Sequence, residues 1–286
     1  MTPVALLTIP YPRIPPTILH IGPLALRWYG LMYVIGYAVG IEIARRRVRR
    51  GMVPFDERAV GALIGYLIVG MLLGARLLYI LVYDPAQYAA HPLDAFAIWH
   101  GGLSFHGGLL GIIGAIVVFA RRRGLPFWSI ADTLALAGPP GLGFGRLGNF
   151  INAELYGRPT QLPWAMVFPT DPLQVPRHPS QLYEALCEGV LLFLVLRVLE
   201  QRAVRGGWYR SGLLSGSFLI GYGVFRFLSE FARQPDPQLG FILGPFSMGQ
   251  LLSSLMIMAG TIVLASVARP RALTAPDAGS GLRPAG

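Results

Sequence analysis

The chain has 286 residues, 53% hydrophobic and 13% charged, with several apolar runs of about twenty residues, the length a helix needs to cross a bilayer. Its net charge of +10 comes from 24 arginines with no lysine, and arginine runs at 45–47, 49–50 and 121–123 each close an apolar segment. That is the positive-inside pattern of a polytopic membrane protein and not a nucleic-acid face, and the single cysteine, Cys187, excludes an internal disulfide and a multi-cysteine metal site.

The first twenty residues hold Pro3, Pro10, Pro12, Pro15 and Pro16 without a basic-then-apolar pattern, so no cleaved signal peptide is expected and the first apolar segment serves as the uncleaved start. Hydropathy with the arginine punctuation predicts seven spans, near 24–44, 59–82, 103–120, 128–150, 180–199, 211–231 and 246–268. Arginines follow the odd spans, at 45–50, 121–123, Arg202 with Arg205, and Arg269 with Arg271, which sets the amino terminus outside and the carboxy terminus inside. The expected class is an all-α polytopic membrane protein. An outer segment 1–20 and four transmembrane helices in 21–150 come first. A small irregular periplasmic cap at 151–179, three helices in 180–268 and a cytoplasmic tail 269–286 follow. The other outer connections are 84–102 and 234–245. Six prolines between Pro159 and Pro179 forbid long helices in the cap, and the Ala/Pro/Gly-rich end 274–286 is expected to be disordered.

In the fourth span Gly138, Gly141, Gly145 and Gly148 share one helical face, which admits either close packing of another helix or access for a substrate. The same span ends in Arg146 and Asn149, one turn apart, with Glu154 just beyond. A guanidinium fork matches two phosphate oxygens and an Asn amide adds a donor, whereas the structural alternative is an ion pair between Arg146 and Glu154. In the sixth span Tyr222, Arg226, Glu230 and Arg233 fall on one stripe, and Arg226 can reach Glu230 on the next turn. Charged groups at membrane depth cost a few kcal/mol, about 2.5–3.5 each, so the stripe faces the protein interior, as an ion pair or as a site for an anionic lipid.

His106, at the start of the third span, is the side chain best placed by ordinary chemistry to take a proton, with His100 and His178 as rivals. Tyr29 with Tyr33, and Glu184 with Glu188, share faces of the first and fifth spans, and Arg76 lies within the second. No HExxH, GxSxG, P-loop or dinucleotide fingerprint occurs, so neither a metal nor another cofactor is expected.

The strings HGGLSFHGG at 100–108, GRLGNFINAELYGR at 145–158, RHPSQLYE at 177–184 and GYGVFRFLSEFARQPD at 221–236 resemble, in this order, the bacterial prolipoprotein diacylglyceryl transferases. The likeness covers roughly 20–268, with Ala153 and Tyr156 where members often carry Gly and Trp, and a segment 159–177 that looks short. The resemblance implies an inner-membrane enzyme that transfers the diacylglyceryl group of phosphatidylglycerol to the lipobox cysteine of a preprolipoprotein, releasing glycerol 1-phosphate. Its partners would be that lipid, the signal peptide and the bilayer. The nucleophile then arrives on the partner, and Cys187 is left to packing. Arg146, Arg226 and His106 would be the catalytic residues, the arginines holding phosphate and the histidine taking the thiol proton. Tyr29, Asn149, Glu154, Gly157, Tyr222 and Glu230 would complete the substrate site. A transporter would be expected to carry internal repeats, which the halves of the chain do not display, and a non-catalytic lipid-binding scaffold would need no proton acceptor such as His106.

Overall fold

The computed structural model describes residues 8–22, 24–234, 241–243 and 246–268. Helices stand at each place where a span was expected: α1 (Trp28–Arg49), α2 (Glu57–Leu78), α4 (Phe105–Arg123), α5 (Phe127–Ile151), α6 (Ser180–Glu184) continuing through a π-helical segment Ala185–Leu191 into α7 (Leu192–Arg205), α8 (Leu213–Ser229) and α9 (Met248–Ala268). A short α3 (Pro85–Ala90) lies in the loop after α2. By length and composition, Glu57–Tyr83, Phe105–Arg123 and Met248–Ala268 can cross a membrane. Their outward faces are apolar, with Val69, Leu73, Leu110, Leu255 and Ile262 exposed, as suits hydrocarbon better than water.

Residues 24–27 correct the first predicted span. They form strand β2 (Leu24–Arg27), paired antiparallel with β1 (Thr17–Ile21) around Gly22 at φ 57°, and the helix begins only at Trp28. Four residues with the pattern Leu-Ala-Leu-Arg after a Gly-Pro turn read as hydropathy in a long window but carry a two-residue alternation. At the other end, 246–247 belong to strand β4 (Phe246–Ser247), which pairs with β3 (Phe241–Leu243). Most of the expected connection 234–245, the tail 269–286 and the proposed punctuation by Arg269 and Arg271 lie outside the described residues.

The helices pack as α1 on α5, α2 on α4 and α8 on α9, with α5 also touching α6, the π segment, α7 and α8. The α2/α4 pair is close because side chains are missing: a Cβ on Gly111 would lie 1.9 Å from the Gly70 carbonyl oxygen. Phe119, Leu63 and Ile130 fill the core between α2, α4 and α5, while Leu136, Leu192, Leu196 and Leu214 fill the one between α5, α7 and α8.

Segment 151–179 is irregular, as its prolines dictate, with isolated bridges Pro159–Arg177 and Met166–Arg177 and a small core of Phe150, Ala153, Met166 and Phe168. Tyr11 crosses to it and donates to the Phe150 and Ile151 carbonyls at 2.6 and 3.1 Å, serving acceptors at the end of α5 that have no partner within the helix. The buried Asp171 accepts from Arg177 Nε at 2.6 Å, and that bond, with the Leu173 and Val175 amides, holds its carboxyl below the usual range. His178 shares a hydrogen bond with the Tyr183 hydroxyl at 3.2 Å. Burial and the charge of Arg158 hold its imidazole below the ordinary value.

Two arginines read differently from their sequence setting. Arg47, one of a run expected to mark a membrane boundary, is only 2% exposed. It pairs with Glu200 and donates to Thr133 Oγ1 at 3.2 Å and Tyr209 OH at 3.0 Å. Beside it Asp132 accepts from Gly212 N, Ser215 N and Ser215 Oγ at 2.6–2.9 Å, capping α8 from a neighbouring helix. Arg76 donates to the carbonyls of Asp94, Ala95, Gly101 and Gly102 at 2.6–3.0 Å, fastening the loop after α3 to α2.

Candidate active site

A second ionic centre sits near the C-terminal ends of α5 and α8. Arg146 Nε lies 2.8 Å from Glu184 Oε2 and its Nη2 lies 4.0 Å from Glu188 Oε2. Arg226 pairs with Glu230, one turn on as its spacing predicts, and its Nη1 approaches Glu184 at 3.8 Å. Arg233, just past the end of α8, reaches Glu184 at 3.4 Å and Glu230 at 3.5 Å. The Arg146–Glu154 ion pair, the structural alternative read from the sequence, does not form; Arg146 meets Glu184 and Glu188. Glu154 instead accepts from Asn149 Nδ2 at 2.8 Å and Asn152 Nδ2 at 3.3 Å, so it orients amides and not the guanidinium.

Backbone contacts set this geometry. Gly143 of α5 and Gly189 of the π segment meet with no side chain between them, a Cβ on Gly189 falling 2.7 Å from Gly143 Cα, so Glu188 and Arg146 are carried on backbones in contact. The predicted glycine face divides: Gly141 meets α1 at Gly36, Gly148 seats the Tyr29 ring, and Gly138 and Gly145 face open space. Tyr29 in turn shares a hydrogen bond with Tyr33 at 3.0 Å. Gly157 allows the chain to press against Ala232 and His178, where a Cβ would come within 2.3 Å of the Ala232 oxygen. Arg158 donates to the Arg233 and Glu230 carbonyls at 2.8 and 3.3 Å, and Ser247 Oγ donates to Glu230 at 2.7 Å, so 151–179 and the start of α9 both lock the end of α8. Tyr222 lies in the electrostatic field of Glu188, Arg226 and Arg146 and stacks on Phe218 at 5.8 Å.

The carboxylates occupy the dry side of the centre. The side chains of Glu184 and Glu188 are 1% and 0% exposed, whereas those of Arg146, Arg226 and Arg233 keep 21%, 15% and 21%. Among the described residues Arg226 Nη1 has no hydrogen-bond acceptor and neither oxygen of Glu188 has a donor. Guanidiniums paired with buried carboxylates and themselves only partly covered suit an oxyanion, above all a phosphate. Sequence spacing singled out Arg146, and Arg226 with Glu230, which meet around Glu184, while Asn149 is turned to Glu154, but it left Glu184 and Glu188 out of the site. Their shared face in an apolar run was the available signal.

His106 stands at the first turn of α4, exposed, its ring against Phe105 at 5.7 Å, and no hydrogen bond or ion pair joins it to the arginine centre. His178 is tied to Tyr183, and His100 is placed in the turn Ile98–His100 by its backbone, its side chain lying outside what is described.

Fold and site together define a predominantly helical membrane protein with a centre of arginines and buried carboxylates near one end of its bundle. The chain belongs to the prolipoprotein diacylglyceryl transferase family, whose sequence profile matches residues 16–266. It is 50% identical over 273 residues to a protein of Methylocella silvestris named "Phosphatidylglycerol--prolipoprotein diacylglyceryl transferase", covering 93% of this chain and 98% of the relative. Relatives of the same name from Bordetella bronchiseptica and Azospirillum brasilense are 49% and 46% identical, covering 91% and 92% of this chain and 98% of each relative.

Proposed function

We propose that this protein transfers the diacylglyceryl group of phosphatidylglycerol to the thiol of the lipobox cysteine of a preprolipoprotein, making a thioether and releasing glycerol 1-phosphate. The observation that carries the reading is the pair of accessible guanidiniums, Arg146 and Arg226, backed by buried carboxylates, in a chain that matches transferases over nearly its whole length. In this reading the long helices are seven spans of the bacterial inner membrane, with the amino terminus and segment 151–179 outside and the carboxy terminus in the cytoplasm. The arginines in the last turns of α1, α4 and α7 support that orientation.

The lipid phosphate lies on the open edges of Arg146 and Arg226. As the thiol sulfur forms its bond to the terminal glyceryl carbon, the bond from that carbon to the phosphate oxygen breaks and its electron pair stays on the departing phosphate. Preorganised guanidiniums in a water-poor site stabilise that growing charge. Glu184, Glu230 and Ser247 aim the two arginines. Asn149, set by Glu154, and Tyr29, set by Tyr33 and Gly148, orient the headgroup, while Tyr222 and Gly157 shape the walls. His106, exposed at the start of α4, is on hand for the entering peptide.

Purified protein given phosphatidylglycerol and a lipobox peptide should add a diacylglyceryl mass to the peptide, and Arg146→Ala should abolish it. Undiminished transfer by Arg146→Ala would refute the phosphate clamp. Absence of transfer by the wild type would refute the function.

A further inference from the structure

We propose that Glu188 is the acceptor of the proton that the lipobox thiol gives up, an inference that rests on the transfer reaction above. Thiolate, not thiol, is the nucleophile, so a group must take that proton as the sulfur attacks. Glu188 is the one carboxylate of the centre whose two oxygens are both buried and both without a hydrogen-bond donor. Glu184 is engaged by Arg146 and Arg233, Glu230 by Arg226 and Ser247, and Glu154 by Asn149 and Asn152. The nearest guanidinium atom to Glu188, Arg146 Nη2, lies 4.0 Å away, too far for a hydrogen bond. Buried polar atoms in native proteins are nearly always paired, and an orphaned carboxylate beside a candidate substrate site calls for a partner that arrives.

Charge balance points the same way. Glu188 faces Arg146 of α5, Arg226 and Tyr222 of α8, Arg233 beyond α8, and Glu184 one turn back on its own helix. Three guanidiniums there meet the three carboxylates Glu184, Glu188 and Glu230. A bound phosphodiester adds one negative charge, and as the departing phosphate monoester gains a second, a proton arriving on Glu188 offsets it. The thiol S–H bond breaks toward a Glu188 oxygen as the sulfur–carbon bond forms and the carbon–oxygen bond to phosphate breaks. The released phosphate monoester, more basic than the diester, carries the proton out and resets the carboxylate. His106, by contrast, is exposed and joined to none of these groups by a hydrogen bond or ion pair.

The test is single-turnover transfer by the full-length protein in phosphatidylglycerol nanodiscs, using a lipobox peptide with cysteine or with selenocysteine, whose selenol is ionised at neutral pH. Glu188→Gln, which keeps shape and burial, should lower the cysteine-peptide rate by about a hundredfold or more, as loss of a general base does. The selenocysteine peptide should recover most of that loss, and Glu188→Asp should retain more cysteine-peptide activity than Glu188→Gln. A wild-type rate in Glu188→Gln, equal losses in Glu188→Gln and Glu188→Asp, or a loss that the selenol fails to relieve would overturn the proposal. If the wild type modifies neither peptide, it is the transfer reading that fails.

Discussion

The two ends of α5 hold buried charges of the same kinds in opposite states. Near its start, Arg47, Glu200, Asp132, Thr133, Tyr209 and Ser215 satisfy one another, and none of their side-chain atoms is left without a partner among the described residues. Thirteen residues further along, about 20 Å at the helical rise, the centre around Arg146 leaves Arg226 Nη1 and both oxygens of Glu188 unpaired. A complete network fixes helices to one another. An incomplete one keeps donors and an acceptor ready for something that comes and goes, and it costs stability to do so.

Breaking each network should therefore register in a different measurement. The largest effect expected is on stability: Glu200→Ala strands the buried Arg47 and should cost about 3–5 kcal/mol, read as a lowered midpoint of thermal unfolding in detergent. Arg226→Lys keeps the charge and loses the fork. It should lower transfer by about a hundredfold, the scale of losing one transition-state donor, with little change in that midpoint. Tyr209→Phe removes bonds to Asp132 and Arg47 and should cost about 1–2 kcal/mol of stability while leaving transfer near wild type at permissive temperature.

The smallest effect is confined to segment 151–179. Arg177 holds the Asp171 carboxyl below its unfolded value, so the stabilisation is complete above about pH 4 and fades as pH falls through the lower folded value. Relative to the intrinsic exchange rate, which itself slows in acid, amide protection in 151–179 should fall as pH drops while α5 stays protected, and Asp171→Asn should flatten that pH dependence. An equal pH response in Asp171→Asn would assign the loosening to another group.

The helices were legible because apolar length is written directly in the chain, and so was Arg226 with Glu230, because four residues on a helix make neighbours. Arg146 was legible as a charge needing a partner, but which partner was not: Glu154 was the alternative near in sequence, whereas Glu184 and Glu188 arrive on another helix through the Gly143–Gly189 contact. Arg47 hid in a run of arginines whose other members, Arg45, Arg46, Arg49 and Arg50, are exposed. The π-helical segment under Glu188 has no residue pattern that distinguishes it from the α-helix on either side. Spacing rules register neighbours along one helix and say nothing of which helix faces which.

Arg76 gives the loop after α3 a property that its sequence lacks. Because four carbonyls from 94–102 converge on one guanidinium, the loop carrying Leu93, Phe96 and Trp99 has much of its backbone gathered on a single side chain. Removing that one side chain would take away four backbone anchors at once, so the loss would reach the whole of 94–102 and not a single contact of it.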